Sequence, residues 1–252
     1  MKPTPYLLLT AICLGCLIGC STPSATVDKT RQFEAQRNLG EAYLKEGDYT
    51  SALRELLNAE ALEPDDPYLH NSLGTVYAAK GRLDLAIDHY KKALSLKPDY
   101  APARNNLGTV YLRRKEWDAA INCLKELTGN LLYATPHFPL YNIGWAYYNK
   151  KDYAQAENYY QQALDFEPDF FRALWGMGLV SLATGKIDAA LSYLEKSVQN
   201  EPQFAQAHLD LGRIYQRKGE KDKAIAAFQR AMDLSPNSEI GKSAKTALTS
   251  FN

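Results

Sequence analysis

The feature that most constrains this chain is a short motif that occurs six times in its 252 residues. It consists of an apolar residue, a glycine and, three residues after the glycine, usually a tyrosine. The spacing between copies is about 34 residues, the length of a repeat built from two helices and a turn. A unit of that size cannot bury its apolar face alone, so neighbouring units must stack to form a continuous core. The sequence therefore predicts a stack of similar helical units.

The other recurring positions carry residues whose size or shape suits a closely packed helix pair. The glycine lets two helices approach, and an alanine early in the second helix serves the same contact. A proline then stops the second helix, and a further glycine between the two helices suits a helix C-terminus. The motif glycines are Gly40, Gly74, Gly108, Gly144, Gly178 and Gly212, and the alanines are Ala52, Ala86, Ala120, Ala156, Ala190 and Ala224.

This pattern resembles the tetratricopeptide (TPR) repeat, which implies an all-α fold, a right-handed superhelical solenoid of helix-turn-helix units. Beyond the last repeat, Ile240, Ala244, Leu248 and Phe251 follow helical spacing. Residues 239–252 are therefore predicted to form a C-terminal capping helix. The six predicted repeats are residues 33–66, 67–100, 101–136, 137–170, 171–204 and 205–238.

Residues 1–19 are predicted to be a lipoprotein signal peptide. The apolar run Tyr6–Ile18 is 13 residues long, which is short for a membrane-spanning helix. It leads into Leu17-Ile18-Gly19-Cys20, which resembles the bacterial lipobox, where the cysteine becomes the acylated first residue. An ordinary cleaved signal peptide and an uncleaved anchor are the alternatives. Residues 20–32, polar and without periodicity, are predicted to be a lipidated, flexible tether.

No arrangement of residues indicates catalysis or nucleic-acid binding. Basic and acidic side chains balance at 29 each without a long basic run, so no nucleic-acid surface is expected. HExxH, GxSxG and glycine-rich phosphate-loop motifs are absent from the sequence, so we expect no enzyme. The four histidines are interpreted as structural. No metal site is predicted, and no cofactor other than covalent acyl chains on Cys20.

In a tetratricopeptide repeat, positions 2, 5, 9 and 12 of the first helix line the concave groove. In repeats four and five these positions are mostly aromatic or apolar, and such patches usually mark partner sites. The alternative is that some of the rings only fill space between repeats, as Trp175 would beside the small Ser181. The predicted partner-binding residues are Asn105, Leu112, Phe138, Tyr141, Trp145, Tyr148, Trp175, Leu179 and Arg213.

The lipobox, polar tether, six repeats and C-terminal helix together resemble the PilF/PilW family, the outer-membrane pilotin lipoproteins of type IV pilus biogenesis. The long third repeat, with Leu127 and Tyr133 before His137, resembles the lengthened third unit of that family. The resemblance implies a protein that is lipid-anchored in the outer membrane, faces the periplasm, and binds the pilus secretin or another pilus-assembly subunit. The alternatives are a general envelope scaffold for peptidoglycan or polysaccharide machinery and an accessory module of a neighbouring enzyme.

Overall fold

A computed structural model describes residues 25–128 and 135–251. Within these ranges there are thirteen α-helices and no strand, which confirms the predicted all-α solenoid. Cys20, the signal peptide and residues 129–134 lie outside the described residues. Among the described helices, none has the length and apolarity needed to cross a bilayer.

The helices are α1 Ala25–Glu46, α2 Tyr49–Leu62, α3 Pro67–Ala79, α4 Leu83–Leu96, α5 Ala101–Arg113, α6 Trp117–Thr128, α7 His137–Asn149, α8 Tyr153–Phe166, α9 Phe171–Ala183, α10 Ile187–Asn200, α11 Ala205–Lys218, α12 Lys221–Leu234 and α13 Glu239–Thr249.

Proline ends the second helix of a repeat by restricting the residue before it to extended backbone. Glu63, which precedes a proline, has φ −138° and ψ 94°, and its N–H still donates to the carbonyl oxygen of Ala59. Glu167 has almost the same geometry, with φ −139° and ψ 90°. At these two junctions the repeat is therefore separated from the next one by a short, defined turn.

The turn inside a repeat needs left-handed backbone at position 15, counted from the first residue of the repeat. Lys115 and Lys151 occupy this position in repeats three and four, with φ of 61° and 63°. A side chain is strained in this conformation, whereas glycine is not. The other four repeats use Gly47, Gly81, Gly185 and Gly219, as predicted for helix-ending glycines.

Close packing within each helix pair depends on the motif glycine. A Cβ at Gly212 would lie 2.5 Å from the ring of Phe228, and one at Gly108 would lie 2.5 Å from Leu124. Both distances are shorter than any real contact, so only glycine admits the large side chain of the second helix. The side chains that fill this space in the six repeats are Leu56, Tyr90, Leu124, Tyr160, Leu194 and Phe228.

The first helices of the repeats form the inner row of the solenoid. From α1 to α9, each odd-numbered helix contacts the next odd-numbered one, while even-numbered helices of the described residues make no comparable contact with one another. The stack therefore curves with the odd-numbered helices on its concave side. The backbones of α9 and α11 approach each other less closely than those of the other pairs in this row, and side chains fill the space between them.

Helix α13 covers the open end of the last repeat, which confirms the predicted capping helix. Ala244 is buried, and Ile240 and Leu248 pack against the core that contains Phe228. The Ser238 hydroxyl accepts a hydrogen bond from the N–H of Gly241 at 3.2 Å and so caps the N-terminus of α13. The last apolar face of the array is thereby removed from water.

The predicted tether over residues 20–32 is corrected for residues 25–32, which form the first turns of α1. The stretch from Ala25 to Leu39 contains no proline or glycine, and Asp28 lies in the first turn, where negative charge favours a helix. Phe33 is buried in the core of the first two repeats and holds this helix in place.

Candidate partner-binding groove

A pocket of about 300 Å³ opens on the concave side between α7, α9 and α11. Its wall brings together three of the predicted residues, Tyr148, Leu179 and Arg213, which come from three consecutive repeats. The pocket therefore forms only when repeats four, five and six are stacked. The other residues that line it are Leu182, Ala183, Asp210, Ile214 and Arg217.

A buried hydrogen-bond network holds the floor of this pocket. The indole Nε1 of Trp175 donates to the Asp210 carboxylate at 2.9 Å. Gln206 and Arg213 donate to the same carboxylate at 3.0 and 2.9 Å. Asp210 is only 5% exposed, and three donors satisfy a charge that would be costly to bury alone.

This network corrects the prediction that Trp175 presents its ring to a partner. The side chain is only 8% exposed and belongs to the core of repeats five and six. Its position follows from the Asp210 carboxylate, which gives the indole N–H a buried acceptor beneath the groove. Trp175 therefore fills space between repeats, as in the alternative interpretation.

Two other predicted residues stack above Trp175. The Trp145 ring centre lies 5.3 Å from that of Trp175 and 5.6 Å from that of Tyr148, with the planes nearly parallel in both pairs. Each such pair contributes roughly 0.5–1.5 kcal/mol beyond burial. Trp145 and Tyr148 are half-buried, so each ring both supports the stack and leaves part of its surface accessible.

A second aromatic group lies at the other end of α7. Phe138 is 43% exposed, and its ring meets Phe170 edge-on at 5.4 Å. Tyr141 also meets Phe170 edge-on, at 5.8 Å. Burial raises the pKa of Tyr141 to about 12, although the Arg172 guanidinium opposes the shift. Phe138 is therefore the most accessible ring among the predicted groove residues.

The predicted residues of repeat three lie apart from the pocket. Leu112 packs against the core between repeats three and four. Asn105 is half-buried, and its side-chain oxygen accepts no hydrogen bond within the described residues. Nearby, Asn106 donates to Asn71 at 3.1 Å, so this part of the inner row is joined by amides. The groove thus changes from polar to aromatic along the array.

Arginines border the aromatic part of the groove. Arg172 lies over the Phe171 ring at 5.2 Å, and Arg217 is exposed on the pocket wall. Arg213 pairs with Asp210 but keeps 52% of its side chain exposed. The border therefore carries more positive charge than the one carboxylate neutralises. A groove of this kind complements a ligand that combines apolar side chains with carboxylates.

Comparison with protein families agrees with this geometry. A family model described as TPR repeat matches residues 40–81 and 74–115. A second, described as tetratricopeptide repeat, matches residues 141–203 and 177–239. Together they cover most of the chain. The chain belongs to the tetratricopeptide-repeat family. Proteins of this family bind protein partners, so the molecule has the fold of a protein-interaction scaffold.

Several solved tetratricopeptide-repeat structures share the fold. Pseudomonas aeruginosa PilF is 23% identical, with a TM-score of 0.72 over 87% of this chain and 99% of its own. PilW, a type IV pilus biogenesis factor, is 21% identical, with a TM-score of 0.74 over 84% of this chain and 97% of its own. The APC/C complex Cut9–Hcn1 gives 21% identity and a TM-score of 0.72 over 88% of this chain and 44% of that chain. The resemblance to PilF and PilW is therefore confirmed for the fold, and a comparison with curated proteins finds no match.

Position 6 of the first helix contributes two residues that the sequence analysis missed, Asp210 and Gly176. A Cβ at Gly176 would lie 2.5 Å from the Tyr160 ring, and a Cβ at Gly144 would lie 2.7 Å from it. Tyr160 is thus held between two glycines of adjacent repeats. The sequence does contain a signal for Asp210 and Gly176. Position 6 is asparagine in three other repeats, at Asn38, Asn106 and Asn142, and these two residues depart from that pattern.

Away from the groove, the fold brings Glu60, His70 and His89 together from α2, α3 and α4. Their ligand atoms lie within 4.8 Å of one another. Burial lowers the pKa of His89, and the Glu60 carboxylate opposes this shift. The sequence analysis predicted no metal site and did not single out these three residues as a group. No sequence motif indicates this group, because His70 and His89 meet across the helix pair of repeat two and Glu60 joins them from repeat one through stacking.

Proposed function

We propose that this protein is a lipid-anchored scaffold of the bacterial envelope that acts in type IV pilus biogenesis and holds a segment of the pilus secretin. The observation that carries the proposal is the pocket between α7, α9 and α11, where stacked rings and arginines share one concave surface. The fold similarity to PilF and PilW along most of the chain supports the choice of pathway.

The chemistry of the groove favours an amphipathic segment as its occupant. The accessible parts of Trp145, Tyr148 and Leu179 offer apolar area, and Arg213 and Arg217 offer donors for carboxylates. Aromatic anchors within a polar rim are the usual arrangement of binding hot spots. A segment of an outer-membrane subunit that must be shielded in the periplasm before insertion has this amphipathic character.

The lipid anchor is the second part of the proposal and rests on the Leu17-Ile18-Gly19-Cys20 sequence. Several acyl chains on one cysteine provide stable membrane attachment, at about 0.8 kcal/mol per buried methylene. A Cys20→Ser variant should leave the membrane fraction or remain unprocessed. Mass spectrometry of the N-terminal peptide of the wild type checks this directly, and an unmodified Cys20 would overturn the anchor.

Phe138 and Tyr68 form a matched pair that tests the groove. Both occupy position 2 of their repeat, are 43% and 42% exposed, and meet the last residue of that repeat edge-on. Truncation of a hot-spot ring costs about 2 kcal/mol, so Phe138→Ala should weaken binding of the purified secretin roughly thirtyfold. Tyr68→Ala should leave binding unchanged. Trp145→Ala is less decisive, because the half-buried ring also supports the stack on Trp175.

Binding is measured with the detergent-solubilised secretin of the same organism, and the melting temperature of each variant is recorded alongside. An equal loss of affinity in Phe138→Ala and Tyr68→Ala, or none in either, contradicts partner binding at the end of the groove that contains Phe138. Affinity capture from solubilised envelopes tests the pathway. Recovery of peptidoglycan or polysaccharide enzymes in place of the secretin would replace the pilus assignment with a general envelope scaffold.

A further inference from the structure

The packing junction of the first two repeats carries a group of side chains that the groove does not use. The Nδ1 atoms of His70 and His89 face each other at 3.0 Å, and the Glu60 carboxylate lies 3.8 Å from His70 Nδ1. We infer that Glu60, His70 and His89 form a binding site for Zn²⁺ that connects repeats one and two. This inference is independent of the groove and of the pilus assignment.

The hydrogen bonding of His70 leaves the correct nitrogen free for a metal. Its Nε2 lies 2.8 Å from the carbonyl oxygen of Pro64, and because a carbonyl oxygen only accepts, Nε2 must carry the proton. In the neutral ring Nδ1 is then unprotonated and accepts a hydrogen bond from His89 Nδ1 in the metal-free protein. It is available to a metal once His89 carries its proton on Nε2 instead. A backbone carbonyl that holds the remote N–H of a histidine is the usual support for a metal ligand.

The spacing of the ligand atoms suits a tetrahedral ion. Zn–N and Zn–O bonds of about 2.0–2.1 Å place neighbouring ligand atoms about 3.3 Å apart in a tetrahedron. Two of the separations, 3.0 and 3.8 Å, lie on either side of this value, and all three ligand atoms lie within 4.8 Å of one another. The Glu60 side chain is only half-buried, so it has room to adjust toward an ion. Two imidazoles and one carboxylate are a ligand set that zinc accepts, with one position left for water.

Repeat six provides an internal comparison that separates packing from ligation. His208 occupies the same repeat position as His70, and its Nε2 lies 3.1 Å from the carbonyl oxygen of Pro202. Packing therefore accounts for a histidine at this position. The residues that correspond to Glu60 and His89 are Val198 and Ala227, which have no ligand atoms. Packing alone thus does not require the carboxylate and the second imidazole found in repeats one and two.

Zn²⁺ binding to the full-length chain in detergent is measured by competition with a chromophoric chelator. The wild type should bind one more Zn²⁺ per chain than His89→Asn, and Zn²⁺ should raise the melting temperature of the wild type but not of that variant. Glu60→Gln preserves the side-chain shape and should weaken the affinity at least about tenfold. Because all variants keep the same cysteines as the wild type, binding at thiols cancels in the comparison.

The matched control is His208→Asn, which should bind Zn²⁺ as the wild type does. Equal stoichiometry and affinity in the wild type and His89→Asn would overturn the site and reduce the two histidines to a hydrogen-bonded pair. Unchanged affinity in Glu60→Gln would also overturn it. That variant keeps the test decisive even where His89→Asn folds poorly.

Discussion

The same contact between adjacent repeats has different chemistry in the two halves of the solenoid. Asn71, at position 5 of repeat two, accepts a hydrogen bond from Asn106, at position 6 of repeat three, at 3.1 Å. Three repeats later, Trp175 and Asp210 occupy the same two positions and are joined at 2.9 Å. In both pairs the partners are 35 residues apart in sequence. The repeat determines which positions meet, and the residues there determine what the contact does.

The difference shows how a uniform scaffold acquires a local site. The Asn71–Asn106 contact joins neutral amides that are only partly buried. The Trp175–Asp210 contact is buried and charge-assisted, and it forms the floor of the pocket between α7, α9 and α11. A few substitutions at equivalent positions are thus sufficient to change a connection between repeats into the base of a binding surface.

The largest expected difference between the halves concerns these two contacts. Asp210→Ala leaves the buried Trp175 N–H and the Gln206 amide without their acceptor and should lower the free energy of unfolding by about 3 kcal/mol. Asn106→Ala removes one neutral, partly buried hydrogen bond and should cost about 1 kcal/mol. Urea unfolding followed by circular dichroism measures both. Similar losses would mean that the two contacts are energetically equivalent despite their chemistry.

A smaller effect is expected at Gly176, which has no glycine counterpart in the N-terminal repeats. Gly176→Ala places a Cβ against the rigid Tyr160 ring, which cannot move away because Gly144 lies on its other side. Overpacking of this kind should cost about 2 kcal/mol. Combining Gly176→Ala with Tyr160→Leu should relieve part of the clash, so the double variant should be more stable than the sum of the single effects predicts. Strict additivity would contradict the proposed steric cause.

The smallest expected effect concerns a feature that both halves of the solenoid share, a lysine in left-handed backbone at the turn inside a repeat. Lys115→Gly and Lys151→Gly remove left-handed strain from the turns of repeats three and four, and each should stabilise the protein by up to about 1 kcal/mol. Lys150→Gly is the control, because Lys150 has right-handed backbone and should gain nothing. Thermal melts of the three variants give the answer. Unequal gains at Lys115 and Lys151 would show that the two regions differ in their turns as well as in their groove.

The sequence was sufficient to predict the solenoid because its determinants are local and repeated. Motif glycines such as Gly108, the prolines, and the apolar spacing through Ile240 and Leu248 each specify one turn or one helix contact. The start of α1 was less predictable, since a polar helix of low periodicity resembles a tether until Phe33 is seen to anchor it. The lipid anchor at Cys20 stays a prediction.

The site was only partly predictable, because burial on the inner row depends on the neighbouring repeat. The groove positions of Tyr148, Leu179 and Arg213 meet at one pocket, as their spacing indicates. The burial of Trp175 depends on Asp210, which is 35 residues away and lies at a position not expected to face the groove. Contacts of this kind become visible only when adjacent repeats are stacked in the folded chain. The Glu60–His70–His89 group was missed for the same reason.

The buried carboxylate of Asp210 also matters while the chain is still folding. Units of similar sequence can dock on the wrong neighbour, and such misassembly is a characteristic failure of repeat proteins. If α11 docked on α3 or α7 instead of α9, Asp210 would face Asn71 or Tyr141 at position 5 and lose the indole donor while its charge stayed away from water. The amide of Asn71 and the hydroxyl of Tyr141 can also donate, but these side chains differ in length and shape from Trp175, to which the native contact is fitted. One acidic side chain therefore favours the native order of the array over permuted ones.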